Sequence, residues 1–151
     1  RLGLAEPMVS RGIATADVDG DGRLDFVTAN QWGPSFLYRN NSPGSGAFLG
    51  LRLIRPNGSP AIGAMARVTL PDARELTAQV DGGSGHSGRR SPGIHFGLGA
   101  ADTTRPVPVE IAWRDLKGQT HRSKLPVLPG WQTIELGSDA RVKAPQHPPR
   151  P

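Results

Sequence analysis

The sequence predicts an all-β protein, and three observations carry that expectation. It holds 20 Gly and 15 Pro in 151 residues, which suits short strands and many turns better than helices. Apolar residues recur at period two, as in Leu49, Leu51 and Leu53, the spacing of a half-buried strand. Turn-forming clusters then break the chain every few residues, the mark of a sandwich or a barrel.

In chain order, Gly12-Ile13-Ala14-Thr15-Ala16 reads as a short apolar strand, and Leu24 to Ala29 reads as a second. Between them lies Asp17-Val18-Asp19-Gly20-Asp21-Gly22-Arg23-Leu24-Asp25. Four of the 13 acidic residues fall in that stretch, although the net charge is +5. Carboxylates so close together repel unless a cation sits between them, and glycines at the fourth and sixth positions allow the tight turn that aims them inward. Asp17, Asp19 and Asp21 supply oxygens at alternate positions, Arg23 can offer its backbone carbonyl at the seventh, and Asp25 stands at the ninth. This is the oxygen-rich set that calcium takes; magnesium prefers to keep its waters in a tight octahedron. An EF-hand is excluded: position twelve is Thr28 rather than Glu, and the flanks are strands rather than helices.

The loop, the following Phe26-Val27-Thr28-Ala29-Asn30 and then Phe36-Leu37-Tyr38-Arg39-Asn40 together resemble one FG-GAP/VCBS-type repeat of a β-propeller. The resemblance implies that residues 1–41 form one propeller-type blade whose Asp loop binds calcium between two strands. Repeats of this kind bury their apolar faces against neighbours, so one blade needs something to cover it.

Asn41 to Gly46 is a loop by composition, with 42–46 as the linker. Beyond it, strands are expected at Leu49 to Leu53, Ala64 to Leu70, Arg74 to Val80, Gly93 to Phe96, Val107 to Trp113, Gln119 to Leu125 and Trp131 to Leu136. Pro108 argues for an edge strand or a strand start. Ser59 to Ala64, Gly82 to Ser87, Ile94-His95-Phe96-Gly97-Leu98-Gly99 and Val109 to Trp113 resemble the ASPIC/UnbV domain. That resemblance, covering residues 47–137, implies a second β-domain that follows FG-GAP/VCBS repeats in secreted proteins similar to cartilage acidic protein, with no catalytic residues to carry over. Residues 138–151, with four prolines and three basic residues, read as an extended basic tail.

Other signals yield less. Gly83 to Gly88 matches G-x-G-x-x-G, but Pro92 and another strand follow where a dinucleotide site needs a helix. His86 beside Ser84 and Ser87 lacks an orienting third group, and His95 alternates with Ile94 and Phe96 and is expected to face outward. His121 and His147 are isolated. Trp113, in phase with Val109 and Ile111, is expected in the core. Trp32, Trp113 and Trp131 are all weighed as sugar-stacking platforms. Trp32, in the turn Gln31-Trp32-Gly33-Pro34, is the aromatic expected to be exposed and available for contact.

There is no Cys, hence no disulfide framework or thiol metal site. No apolar run approaches the roughly eighteen residues of a membrane helix, and the basic residues lack the aromatic interleaving that stacks nucleic-acid bases. The start at Arg1 without a leader leads us to expect a processed product or a fragment. The function expected is therefore a non-catalytic, secreted or cell-surface calcium-binding module for adhesion or self-assembly, with a protein partner or a second copy. The alternative is a binding module for anionic polysaccharide or another polyanion, based on the net charge and the tail.

Overall fold

The structure, a computed structural model, describes residues 8–83 and 91–144. Eleven strands form three sheets among those residues. β1 (Ser10–Ala16), β2 (Asp25–Asn30) and β3 (Phe36–Tyr38) make an antiparallel meander, with Ala14 opposite Val27 and Val27 opposite Leu37.

β4 (Ala47–Ile54), β7 (Ile94–Gly99), β10 (Gly130–Leu136) and β11 (Ala140–Lys143) form a second sheet in the order β11-β10-β4-β7. β5 (Met65–Thr69), β6 (Glu75–Gln79), β8 (Val107–Arg114) and β9 (Thr120–Val127) form the third, in the order β6-β5-β8-β9. These two sheets share one apolar core, so the larger domain is a sandwich.

Period-two patterning decides which residues fill that core. Leu49, Leu51 and Leu53 of β4 are buried, as are Val109, Ile111 and Trp113 of β8 and Ile134 and Leu136 of β10. The intervening β4 residues Phe48, Gly50 and Arg52 therefore point to the opposite, outer face. β4 is the central strand of its sheet, pairing parallel with β10 and antiparallel with β7. Gly50 lies beside Trp131, and a Cβ there would meet the indole at 2.3 Å. The bare glycine lets the ring lie against the sheet.

Two expectations need correction, on the tail and on His121, and two are refined, on Pro108 and His95. The span expected as an extended basic tail contains β11, which pairs with β10 from Thr133–Lys143 to Leu136–Ala140; the prolines that suggested a tail begin only at Pro145, past the strand. Pro108 is the second residue of a strand flanked on both sides, and β5 pairs with β8 only from Val109 onward, so its missing N–H leaves no ladder bond unmade on that side. His95 points away from the core as expected, but it is covered rather than free, for a reason given below. His121 is not isolated in space: its ring stacks on Trp113 at 5.4 Å, and Nε2 lies 2.9 Å from the Asp115 carboxylate. Residues 84–90 and 145–151, with the glycine run, His86 and His147, lie outside the described residues.

Leu51 is fully buried in the central strand. Leu51→Ala should cost about 2–5 kcal/mol of unfolding free energy, measurable as a lower midpoint in urea; a loss below about 1 kcal/mol would mean the two sheets do not share this core.

Candidate metal centre

Ala16 pairs directly with Asp25, so the residues between them leave and re-enter the sheet side by side. Gly20 (φ 78°) and Gly22 (φ 86°) adopt the left-handed backbone that this tight path needs. The aspartates then turn inward to take up the loop's own N–H groups. Asp17 Oδ1 accepts from Gly20 N at 2.8 Å, and Asp17 Oδ2 accepts from Gly22 N at 2.9 Å. Asp19 Oδ1 accepts from Asp21 N at 3.3 Å, and Asp21 Oδ1 from Arg23 N at 2.8 Å.

The result is a group of three carboxylates, Asp17, Asp19 and Asp21, each offering an oxygen within 4.8 Å of the others. Arg23 pairs with Asp21, and Arg39 pairs with Asp19 and lies 4.0 Å from Asp21. Asp19 Oδ2 is buried and accepts no hydrogen bond, although the Arg39 guanidinium stands against it as a counter-charge. A hard cation suits such an oxygen, because it needs no donor hydrogen. The donor set therefore fits a calcium-type ion.

The other two expected ligands have different surroundings. Asp25 is 2% exposed and stands outside the three-carboxylate group. Its oxygens accept from Asn40 N at 2.8 Å and Val18 N at 3.0 Å, tying the end of β3 to the start of the loop. The Asn40 hydrogen bond is the main reason its pKa lies below 3.8; the Val18 bond and the charges of Arg39 and Arg23 act the same way, against the opposing effect of burial. Arg23 brings its side chain as well as its backbone: its Nε donates to Asn40 O at 2.7 Å.

The sandwich completes the loop's surroundings. Trp131 Nε1 donates to Asp17 Oδ2 at 2.7 Å, and His95 Nε2 lies 2.9 Å from Gly22 O. Phe48 stacks on His95 with centroids 5.1 Å apart, and both meet Trp131 edge-on at 6.2 Å. Arg52 lies over the Trp131 ring at 4.5 Å. A Cβ on Gly22 would strike Phe48 at 2.3 Å. This aromatic platform is what covers His95. It was invisible in the sequence, where Trp131 stands 114 residues from Asp17 and carries no local sign of that partner.

Fold and site together define an all-β module in which a strand-connecting Asp loop is seated on the outer face of a β-sandwich. A family model described as ASPIC and UnbV matches residues 54–143, and one described as an FG-GAP-like repeat matches residues 17–70. The chain belongs to the ASPIC and UnbV family, with an FG-GAP-like repeat ahead of that domain. No curated protein matches it.

Two outcomes follow for the loop. Gly20→Ala and Gly22→Ala both force a side chain into left-handed backbone, at about 1–2 kcal/mol, but only Gly22→Ala meets Phe48, whereas nothing lies within 4 Å at Gly20. Gly22→Ala should therefore lower the thermal midpoint further and shift Trp131 fluorescence; equal effects would place Phe48 away from the loop. Asp25, with its pKa depressed below 3.8, contributes stability that is fully present above that value and lost as pH falls through the lower folded one. In chelator, the wild type should lose more stability than Asp25→Asn between about pH 5 and about pH 2; parallel acid curves would remove this carboxylate from the account.

Proposed function

We propose that the chain is a non-catalytic calcium-binding structural module of a secreted or cell-surface protein, serving adhesion or self-assembly. The observation that supports this most directly is the convergence of Asp17, Asp19 and Asp21, with oxygens within 4.8 Å of one another on a loop joining two strands. These three residues would hold the ion, and Arg23 and Asp25 fix the loop's exit and ends. Calcium would offset the mutual repulsion of the carboxylates and fasten the connection between β1 and β2. Self-association is supported by the three-stranded sheet, where Val27 and Leu37, cross-strand neighbours on one face, are 38% and 58% exposed; a sheet of this size needs an apolar face covered to be stable.

The test is thermal unfolding and sedimentation of the whole chain in calcium and in excess chelator. A folded-state ligand should add about 2.7 kcal/mol at a hundredfold excess over Kd, and chelation should reduce the assembly's size. Asp19→Asn should abolish both responses. An unfolding curve indifferent to calcium would defeat the metal reading, while a calcium-stabilised monomer at all concentrations would defeat only the assembly reading.

A further inference from the structure

Trp32 is 93% exposed in the turn between β2 and β3, and its φ is 59°. Left-handed backbone is a strained choice for a bulky side chain, and an indole set wholly in water gains nothing from burial. Local folding energetics thus disfavour this residue twice, which directs attention to what the ring can touch.

From that turn a shallow groove of about 120 Å³ runs along one face of the sheet. Phe26, Phe36 and Tyr38 provide its aromatic floor, with Phe26 and Tyr38 stacked at 4.7 Å. Ser10, Thr28 and Asn30 provide its polar side. Ser10 Oγ donates to Asn30 Oδ1 at 2.7 Å, and Asn30 Nδ2 donates to Pro34 O at 2.8 Å. Those bonds join the groove to the turn that carries Trp32. Among the described residues, no charged side chain lines it.

We propose that this face, with Trp32 at its end, is a binding site for a neutral carbohydrate chain. A pyranose ring presents an apolar C–H face and a rim of hydroxyls, and it needs flat aromatic surface beside uncharged donors and acceptors. The groove and turn offer that combination. Single-stranded nucleic acid would also stack, but its phosphates require cations along the track, and the described residues of the groove supply none. A lipid surface calls for a wide apolar face with a basic rim, whereas half of this groove is hydroxyl and amide. Trp32 is at the opposite end of β2 from the Asp loop, while the groove runs along the strand to Phe26, next to Asp25; its lining residues include none of the loop's carboxylates, so binding at this face does not require calcium in that loop.

The experiment is native electrophoresis of the full chain through gels containing soluble β-glucan, galactomannan or hydroxyethylcellulose, run in calcium and in chelator. Parallel gels contain heparin or poly(U), and phosphatidylcholine/phosphatidylserine vesicles are tested by co-sedimentation. At least one neutral polysaccharide should retard the protein in both media. Trp32→Gly, which relieves the backbone strain, should keep or raise the melting temperature and weaken retardation about tenfold, a loss typical of one stacked aromatic. Thr28→Val, which keeps the side-chain shape and removes a hydroxyl, should weaken it less. The proposal is overturned by an absence of retardation in every neutral gel, by unchanged retardation in Trp32→Gly, or by retention on heparin, poly(U) or vesicles alone. It is also overturned if sedimentation finds a dimer that Trp32→Gly dissociates, since a second copy would then own the face.

Discussion

The hydrogen bond from Trp131 Nε1 to Asp17 Oδ2 joins two bodies that differ sharply in how they are stabilised. Every apolar residue of the buried core comes from the sandwich. Within the described part of the first forty-six residues, Asp25 alone is buried, and its role is to accept backbone hydrogen bonds. A three-stranded sheet without a core of its own depends on what it is fastened to. The fastening consists of Asp17 on Trp131, Gly22 on His95 and Phe48, and Arg52 laid over the indole. Gly22 and Gly50 are the two places where a methyl group would push those layers apart.

Much of this was legible because period-two alternation is a local signal. Val109, Ile111 and Trp113 announced a buried strand face, and Leu49, Leu51 and Leu53 announced a half-buried strand. The Asp spacing likewise announced a tight loop that gathers carboxylates. What escaped was non-local: the parallel pairing of β10 with β4, the covering of His95 and the partnership of Trp131 with Asp17. Strand β11 escaped for a different reason, because only four residues carry its pattern and a proline-rich segment follows at once. Asp25 looked like one more carboxylate of the loop. Only the positions of Val18 and Asn40 show why both its oxygens are engaged by backbone.

The two family matches overlap over residues 54–70, and the FG-GAP-like match runs through both β4 and β5. The structure gives that overlap a physical sense. β4 supplies core leucines on one face and, on the other, Phe48, Gly50 and Arg52, which support the Asp loop. Residues on the two faces of a single strand thus serve two different structural units, and a boundary drawn in sequence cannot separate them.

The separation of 114 residues between Asp17 and Trp131 also orders events in time. Closing so long a loop is slow relative to forming a hairpin, and nothing compensates for its entropy until both ends are in place. During synthesis the acidic loop emerges first, and the indole that holds it emerges 114 residues later. The amino-terminal sheet must therefore wait, incompletely anchored, until β10 has settled beside β4. The carboxylate cluster reaches its final surroundings at the end of folding, and a chain truncated before Trp131 would never give it those surroundings.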